Sequence, residues 1–395
     1  MRREVDAASG PLVVERVDGG AGFAALRGEW EALVDRGQVS PFSRWAWLYP
    51  WWRRLHPERT PVVLVARDGE GTLRGVLPLA LEICHSGGVP ARRLSWLGED
   101  AVGSDYLDVV CAPGDEPHLG RVFGEWLVRA KAHWDVLELK DVEVGSPGTT
   151  ALLGALPSTY RISRATRFTC PVRVFSPGEP FDAFLRRTAR RDNYLRRRKW
   201  LEKQAGYALE VASAPAGLAA PLGNFFHLHA RRWASDGGSQ GIRGPRVEAF
   251  HRDATRLLAE SGLLRLYTLK VGGEAVASVY GILDRGTFHY YQGGYAPEWA
   301  AKSVGLVLVG ETFRDAIESG CTRYDFLRGT EPYKSDWVDA ARQTESICAL
   351  APSLSARAWA ASLQMRRAGR GVVKSLLPAR VKETIRRKRR QAAVR

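Results

Sequence analysis

Cysteine is scarce and poorly placed for cross-linking. There are five residues (Cys84, Cys111, Cys170, Cys321 and Cys348), an odd number with no C-x-x-C pair. This argues against a disulfide framework or a cysteine zinc site and points to a reducing compartment. Long apolar runs are lacking as well. None reaches the roughly 18 residues of a membrane span, and the start, MRREVDAASGPLVVERVDGG, has no apolar core of signal-peptide length. Walker A, G-x-G-x-x-G and H-x-x-x-D patterns are absent. Three near-matches fail on context. GGSQG (237–241) has the letters of a nucleophile elbow, but it follows a helix where a strand is required. HRD (251–253) lies inside the helical run VEAFHRDATRLLAE, and no D-F-G follows it. His227 and His229 are two apart, so a helix points them to different faces and no shared metal is expected.

What is present describes a globular chain of 395 residues, 45% hydrophobic and 26% charged, long enough for two domains. The net charge of +15 is local rather than general. Residues 351–395 carry thirteen Lys/Arg against one acid, Glu383, and residues 186–203 carry nine against two. The remaining body is therefore slightly acidic. Two basic segments on such a body suggest two polyanion contacts rather than a wholly basic surface.

One order of elements occurs twice. PVVLVARDGEGTLRGVLPLAL (61–81) reads as a hairpin, and a strand candidate from RRLSWLG to DYLDVV comes next. A helical pattern over about 117–132 follows, with Leu119, Val122, Phe123, Trp126 and Leu127 on one face, and DVLELKDV (135–142) closes the set. LLRLYTLKVGGEAVASVYGIL (263–283) is again a hairpin, followed by the strand GTFHYYQGGY. SVGLVLVGETFRDAIESG (303–320) is then a helix capped by Ser303 and ended by Gly320, and TRYDFLRG closes as a strand. The repetition predicts two copies of one α/β unit. Between them lie two helix candidates, FDAFLRRTARRDNYLRRRKWLEKQAG and PLGNFFHLHARRWASDGG. The end of the chain, VKETIRRKRRQAAVR, reads as frayed or disordered.

The junction YYQGGYAPEWAAKSVGLVLVG brings a strand end to a helix start near Ser303, Val304 and Gly305. Unpaired N–H groups there, with Gly305 permitting close approach, suit a pyrophosphate. The next strand ends in a burst of functional groups, TRYDFLRGTEPYKSDW (322–337). In this order of parts the chain resembles the GCN5-related N-acetyltransferases (GNAT). It is similar in particular to CelD-type (cellulose-biosynthesis-protein-like) acyltransferases, which are related to the FemAB peptidyltransferases. PFSRWAWLYPWWRRL, GVLPLAL, WLGEDAVGSDYLDVV, LRRRKWLEKQAG, FHLHARRW and GGEAVASVYGIL carry the likeness, over about residues 25–345. Its most specific part is the Y-D-F-x-x-G-x-E-x-Y-K-x-x-W block.

The resemblance implies an α/β fold of tandem GNAT, FemAB-like units, with mixed sheets flanked by helices. The expected division is 1–175, 176–350 with the acyl-donor site, and a basic tail over 351–395. It implies acetyl-CoA or another acyl-CoA as donor, no metal, and transfer to an amine or hydroxyl of a sugar, polysaccharide precursor or small metabolite. Thioester chemistry needs a polarised carbonyl, a deprotonated acceptor and a stabilised thiolate. Tyr333 stands where related enzymes place a phenol to protonate the thiolate. Lys334 is expected on a phosphate or the oxyanion, and Asp325 and Glu331 are expected on the acceptor. Strand alternation also allows Asp325 to be merely solvated. Gln292, Gly293, Ser303, Val304, Gly305 and Arg328 form the expected donor site. Asp105, Tyr106, Trp233 and Tyr291 are expected in the acceptor cleft, although Trp233 also reads as core. One departure stands out: the superfamily's phosphate loop, Q/R-x-x-G-x-G/A, is here Ala301 to Leu306 (AKSVGL). Aminoacyl-tRNA therefore remains an alternative donor, and a non-catalytic binding protein on the same fold is a third reading. The segments 186–203 and 351–395 would then meet tRNA or an anionic membrane surface, and the expected location is cytoplasmic, peripheral at the inner face of the membrane.

Overall fold

The computed structural model describes residues 11–99, 102–234 and 242–376. The 237–241 motif and the tail beyond 376 lie outside the described residues. The strands are β1 (Val13–Asp18), β2 (Thr60–Arg67), β3 (Leu73–Ser86), β4 (Val89–Trp96), β5 (Val110–Cys111), β6 (Val136–Glu143), β7 (Arg161–Val174), β8 (Ala208–Ala212), β9 (Leu264–Val271), β10 (Glu274–Asp284), β11 (Thr287–Tyr295), β12 (Arg323–Asp325) and β13 (Ala340–Leu350). The helices are α1 (Gly19–Ala25), α2 (Arg27–Arg36), α3 (Trp45–Leu55), α4 (Glu116–Arg129), α5 (Pro147–Gly154), α6 (Phe181–Arg186), α7 (Arg191–Leu201), α8 (Ala219–Trp233), α9 (Pro245–Glu260), α10 (Val304–Glu318) and α11 (Leu354–Leu376). No helix of the described residues is long and apolar enough to cross a membrane.

The chain forms two compact units. The first runs to Glu99 and adds Ser104–Arg167 and Thr344–Arg367; the second holds Asp100–Gly103 and Phe168–Gln343. In the first, β1, β2, β3 and β4 form an antiparallel meander, β6 joins β4 in parallel, and β13 pairs antiparallel with β6. In the second, β8, β9, β10 and β11 form the meander, β12 joins β11 in parallel, and β7 pairs antiparallel with β12. A helix precedes each parallel strand, α4 in one and α10 in the other. Both units are thus mixed sheets flanked by helices. The first unit takes its sixth strand from a distant part of the chain, since β13 follows the second unit in sequence, whereas the end of β7 that pairs with β12 opens the second unit.

The strands form where β-branched and aromatic residues accumulate, as in TPVVLVAR of β2, which is buried through most of its length. The first unit's core is rich in tryptophan, with Trp30, Trp47, Trp51, Trp96 and Trp134 fully buried. Glycine lets its helices meet. A Cβ at Gly120 of α4 would lie 2.2 Å from the Gly148 carbonyl oxygen of α5, and one at Gly124 would lie 2.4 Å from that of Leu152. In the second unit α6, α7 and α10 share one core, in which Phe184, Phe313, Tyr324 and Trp337 stack. Val279 belongs to that core, whereas the next residue, Tyr280, packs on Phe225 of α8. Since neighbouring strand residues point to opposite faces, α8 covers the face opposite α10.

Two segments differ from their sequence expectation. The basic stretch after Phe181 is two helices, broken where the Thr188 hydroxyl takes the Leu185 carbonyl and competes with the backbone ladder. The strand expected over TRYDFLRG ends at Asp325, whose Oδ1 accepts the Leu327 N–H at 2.8 Å while Leu327 adopts φ 56°. That turn carries the chain away from β11.

Asp135 ties the start of β6 to the start of α11. It accepts the backbone N–H and Nε of Arg92, each at 2.9 Å, and the hydroxyls of Ser353 (3.0 Å) and Ser355. Burial opposes its charge, but these donors outweigh burial and hold the carboxyl well below the usual range. A depressed carboxyl stabilises the fold above its unfolded pKa of about 4 and loses that contribution as pH falls through the folded value. Asp135→Asn is therefore expected to cost about 2 kcal/mol at pH 7. The gap from the parent should begin to narrow in urea titrations as pH falls below about 4, and a gap independent of pH would refute the account.

Candidate functional site

Strand β11 outruns its parallel partner. Pairing with β12 ends at His289 and Asp325, but β11 continues to Tyr295. A cavity of about 280 Å³ lies along the free stretch. From β10 and β11 it is lined by Ser278, Val279, Tyr290, Gly293, Gly294 and Tyr295. Ser303, Gly305, Leu306, Leu308 and Val309 line it at the start of α10, joined by Trp337, Arg190 and Asn193, and Arg232 and Trp233 come from α8. Residues from both sheet faces therefore reach one cavity, as the split between β11 and β12 allows.

A bulge decides which tyrosine enters. Tyr280 pairs with Gln292 and the next residue, Gly281, with Tyr290, so Tyr291 is the extra residue. Alternation from Tyr295 through Gly293 would have put Tyr291 in the cavity. The bulge shifts the parity, turns Tyr290 inward and sends Tyr291 to the α8 face, against Tyr280 and His251. There the Tyr291 hydroxyl donates to the Val102 carbonyl at 2.6 Å.

At the start of α10, Ser303 sits in the left-handed region (φ 59°, ψ 36°), and its side chain makes no capping bond. The expected hydroxyl cap is thus replaced by a backbone turn. The first amides of the helix have no partner within it, and Gly305 presents no side chain; a Cβ there would meet only the Tyr295 ring, at 3.3 Å. Val304 is buried beneath. Arg190 flanks the cavity while paired with Asp336 at 2.5 Å, and the Arg232 guanidinium lies over the rings of Trp233 and Tyr295.

Two phenols meet inside. Tyr290, 7% exposed, is hydrogen-bonded to Tyr333, and both pack on Phe326, with ring centroids 5.3 and 6.2 Å away. Burial pushes the Tyr290 hydroxyl up to about 12. Burial, then the charges of Tyr290 and Glu331, push Tyr333 well above the usual phenol. Although 39% of Tyr333 is exposed, its hydroxyl end is enclosed. Both phenols are neutral, proton-bearing donors at physiological pH.

Of the residues singled out from sequence, Gly293, Ser303, Gly305, Trp233 and Tyr333 line the cavity. Glu331 lies just behind, close enough to raise both phenols. Lys334 is placed differently from its expected role. It is 3% exposed, and its ammonium is committed to the carbonyls of Phe326 (3.3 Å), Arg328 (3.0 Å) and Gly329 (3.3 Å) and to Glu331 (2.9 Å). Three N–H groups spread over four acceptors leave none for a phosphate or an oxyanion. Asp325 is not solvated: it is fully buried, bonded to Leu327 N and paired with Arg342 at 3.2 Å. It anchors the turn that opens the split and does not line the cavity. Arg328 lies over the Phe168 ring beside Gly103. Gln292 faces His229 at 3.4 Å, and burial lowers that histidine to about 4, so it is neutral. Asp105 and Tyr106 belong to the first unit, where Ser40 donates to the Asp105 carbonyl and the Tyr106 N–H donates to that of Asp141. Neither lines the cavity. Arg190, Asn193, Arg232, Tyr290, Tyr295 and Trp337 line it without having been anticipated. All six lie in stretches singled out from sequence: Arg190 and Asn193 in the basic segment 186–203, Arg232 in FHLHARRW, Tyr290 and Tyr295 in YYQGGY, and Trp337 at the end of the Y-D-F block.

Residues 188–335 match a family model described as an acetyltransferase (GNAT) domain. No curated protein sequence matches the chain. Among solved structures it is similar to FemX (TM-score 0.57, 12% identity, covering 81% of this chain and 95% of that one). It is also similar to L-PGS from Bacillus licheniformis (TM-score 0.50, 15% identity, 81% and 90%). A third is a conserved protein of unknown function from Bacteroides thetaiotaomicron (TM-score 0.51, 12% identity, 85% and 100%). At such identities these three speak to the fold alone. Together with the repeated unit, they give the chain a GNAT and FemAB-like fold, within which residues 188–335 are similar to a GNAT acetyltransferase domain.

Proposed function

We propose that the protein is an acyltransferase that moves an acyl group, acetyl in the first instance, from acyl-CoA to an amine or hydroxyl of a sugar, polysaccharide precursor or other small metabolite. The observation that carries this reading is the cavity where β11 parts from β12, bounded at one end by the bare start of α10 and holding two neutral phenols. Its residues suit the donor. The first-turn amides of α10, with Arg190 and Asn193, would take a diphosphate. Leu306, Leu308, Val309 and Trp337 offer an apolar wall to a pantetheine arm. The free stretch of β11 supplies backbone N–H groups for a thioester carbonyl, and the phenol pair supplies a proton for the thiolate.

Aminoacyl-tRNA is the second reading, favoured by one observation. Arg196, Lys199 and Lys203 are exposed on or just after α7, and none forms an ion pair among the described residues. Thermal-shift measurements separate the two donors. Acetyl-CoA at about a hundred times its Kd should add roughly 2.7 kcal/mol, a rise of about 3 °C for a chain of this length. Deacylated tRNA should stabilise only at low salt, with the effect gone by about 200 mM. Stabilisation by tRNA that survives salt, with none by acetyl-CoA, would reverse the assignment.

A further inference from the structure

The geometry points to Tyr290, rather than Tyr333, as the phenol that meets the reacting thioester, with Tyr333 the proton donor behind it. This assignment rests on the acyl-transfer reading above. Three independent features support it. Tyr290 stands on β11 itself, one residue past the last pair with β12, at the point where the strand's edge becomes free. The bulge at Tyr291 exists at that one place and has the effect of turning Tyr290 into the cavity. Gly293 forms a seat for the hydroxyl: a Cβ at that position would lie 2.0 Å from Tyr290 Oη and 3.1 Å from Cζ. The Oη is therefore held over the same short stretch of backbone whose N–H groups face the acyl carbonyl. Tyr333 also lines the cavity, but it stands past the strand end rather than on β11, is hydrogen-bonded to Tyr290, and has a ring partly open to solvent.

The proton path balances without any added reagent. Attack by the acceptor forms the new C–N or C–O bond, and collapse of the tetrahedral carbon breaks C–S, the electron pair leaving on sulfur. The thiolate takes the proton of Tyr290, which takes that of Tyr333. Tyr333 recovers a proton from the N–H or O–H of the acceptor as that group loses it. Glu331, held by Lys334, lies beside the pair and raises both phenols, so each keeps its proton until sulfur draws it.

The test uses the full chain, acetyl-CoA as donor and hydroxylamine as a small acceptor probe, with thiol release followed in time and the uncatalysed rate subtracted. Tyr290→Phe should lower kcat by roughly 10²–10⁴-fold. Tyr333→Phe, which leaves the inner hydroxyl in place, should lose only about tenfold. The double variant should match Tyr290→Phe within a fewfold, because the two act in series. Gly293→Ala should reproduce the Tyr290→Phe loss although both phenols remain, since its Cβ evicts the hydroxyl. The thermal shift with acetyl-CoA should persist in both Phe variants, showing a folded protein with an intact donor site. A Tyr333→Phe loss larger than that of Tyr290→Phe, or a parent-like Tyr290→Phe, overturns the assignment. Absence of any acetyl-CoA shift in the parent identifies the donor reading as what failed, and the assignment falls with it.

Discussion

A Lys334→Ala variant is expected to unfold well before the parent, by about 3 kcal/mol in urea titration. Its ammonium holds three carbonyls of the turn from Phe326 to Gly329 and the Glu331 carboxylate. Truncation leaves all four acceptors without that donor, and removing one partner of a buried pair costs about 3–5 kcal/mol. Glu331 is 33% exposed, so water screens part of the loss and the lower figure applies. Lys334→Met, similar in volume but without charge, should not restore stability. Turnover should fall too, because Tyr333 is the adjacent residue and the turn fixes its ring on Phe326. A variant with the parent's unfolding midpoint and a raised donor KM would instead return Lys334 to the donor's phosphates.

Gly305→Asp is expected to weaken acetyl-CoA binding by roughly tenfold or more while the protein stays folded. The start of a helix carries about half a positive charge, worth up to about 2 kcal/mol to an anion in a partly buried setting. A carboxylate placed there occupies that charge and repels a diphosphate. Gly305→Ala separates the electrostatic effect from bulk: its Cβ would meet only the Tyr295 ring edge at 3.3 Å, and affinity should change little. Calorimetric titration of both variants with acetyl-CoA makes the comparison. Unchanged affinity in Gly305→Asp would remove the helix start from the donor site and leave the cavity without its anion-binding end.

What could be read from the residues follows the range of the interactions involved. The repeated order of hairpin, strand, helix and strand is local, written in β-rich runs and in the apolar face of VGLVLVGETF, so both units were legible. Which strand completes each sheet was not. Pairing of β13 with β6 joins residues some 200 positions apart, such as Leu350 and Val136, and nothing in either segment names the other. The site failed in instructive places. Sequence offers Tyr291 for the acceptor cleft and is silent on Tyr290, because the single bulge that turns Tyr290 inward leaves no mark in YYQGGY. Charged residues after a strand suggest a reactive loop, which is how Lys334 and Asp325 read in sequence. Their charges are instead used inward, on the backbone of the turn that holds the split open. Tyr333, Gly293, Ser303 and Gly305 reached the cavity because strand end and helix start are local features.

The late arrival of β13 has a consequence for synthesis. The first unit needs residues 344–367, which leave the ribosome about 200 residues after its other strands are complete at Glu143. At about 5–20 residues per second, β6 presents a bare edge for roughly 10–40 s in every nascent chain. An unpaired, apolar edge is what aggregation and chaperones both recognise. Translation speed across 168–343, and chaperone supply during that interval, therefore bear on yield more than the stability of the finished protein does. A copy cut anywhere in that stretch releases a first unit that cannot close.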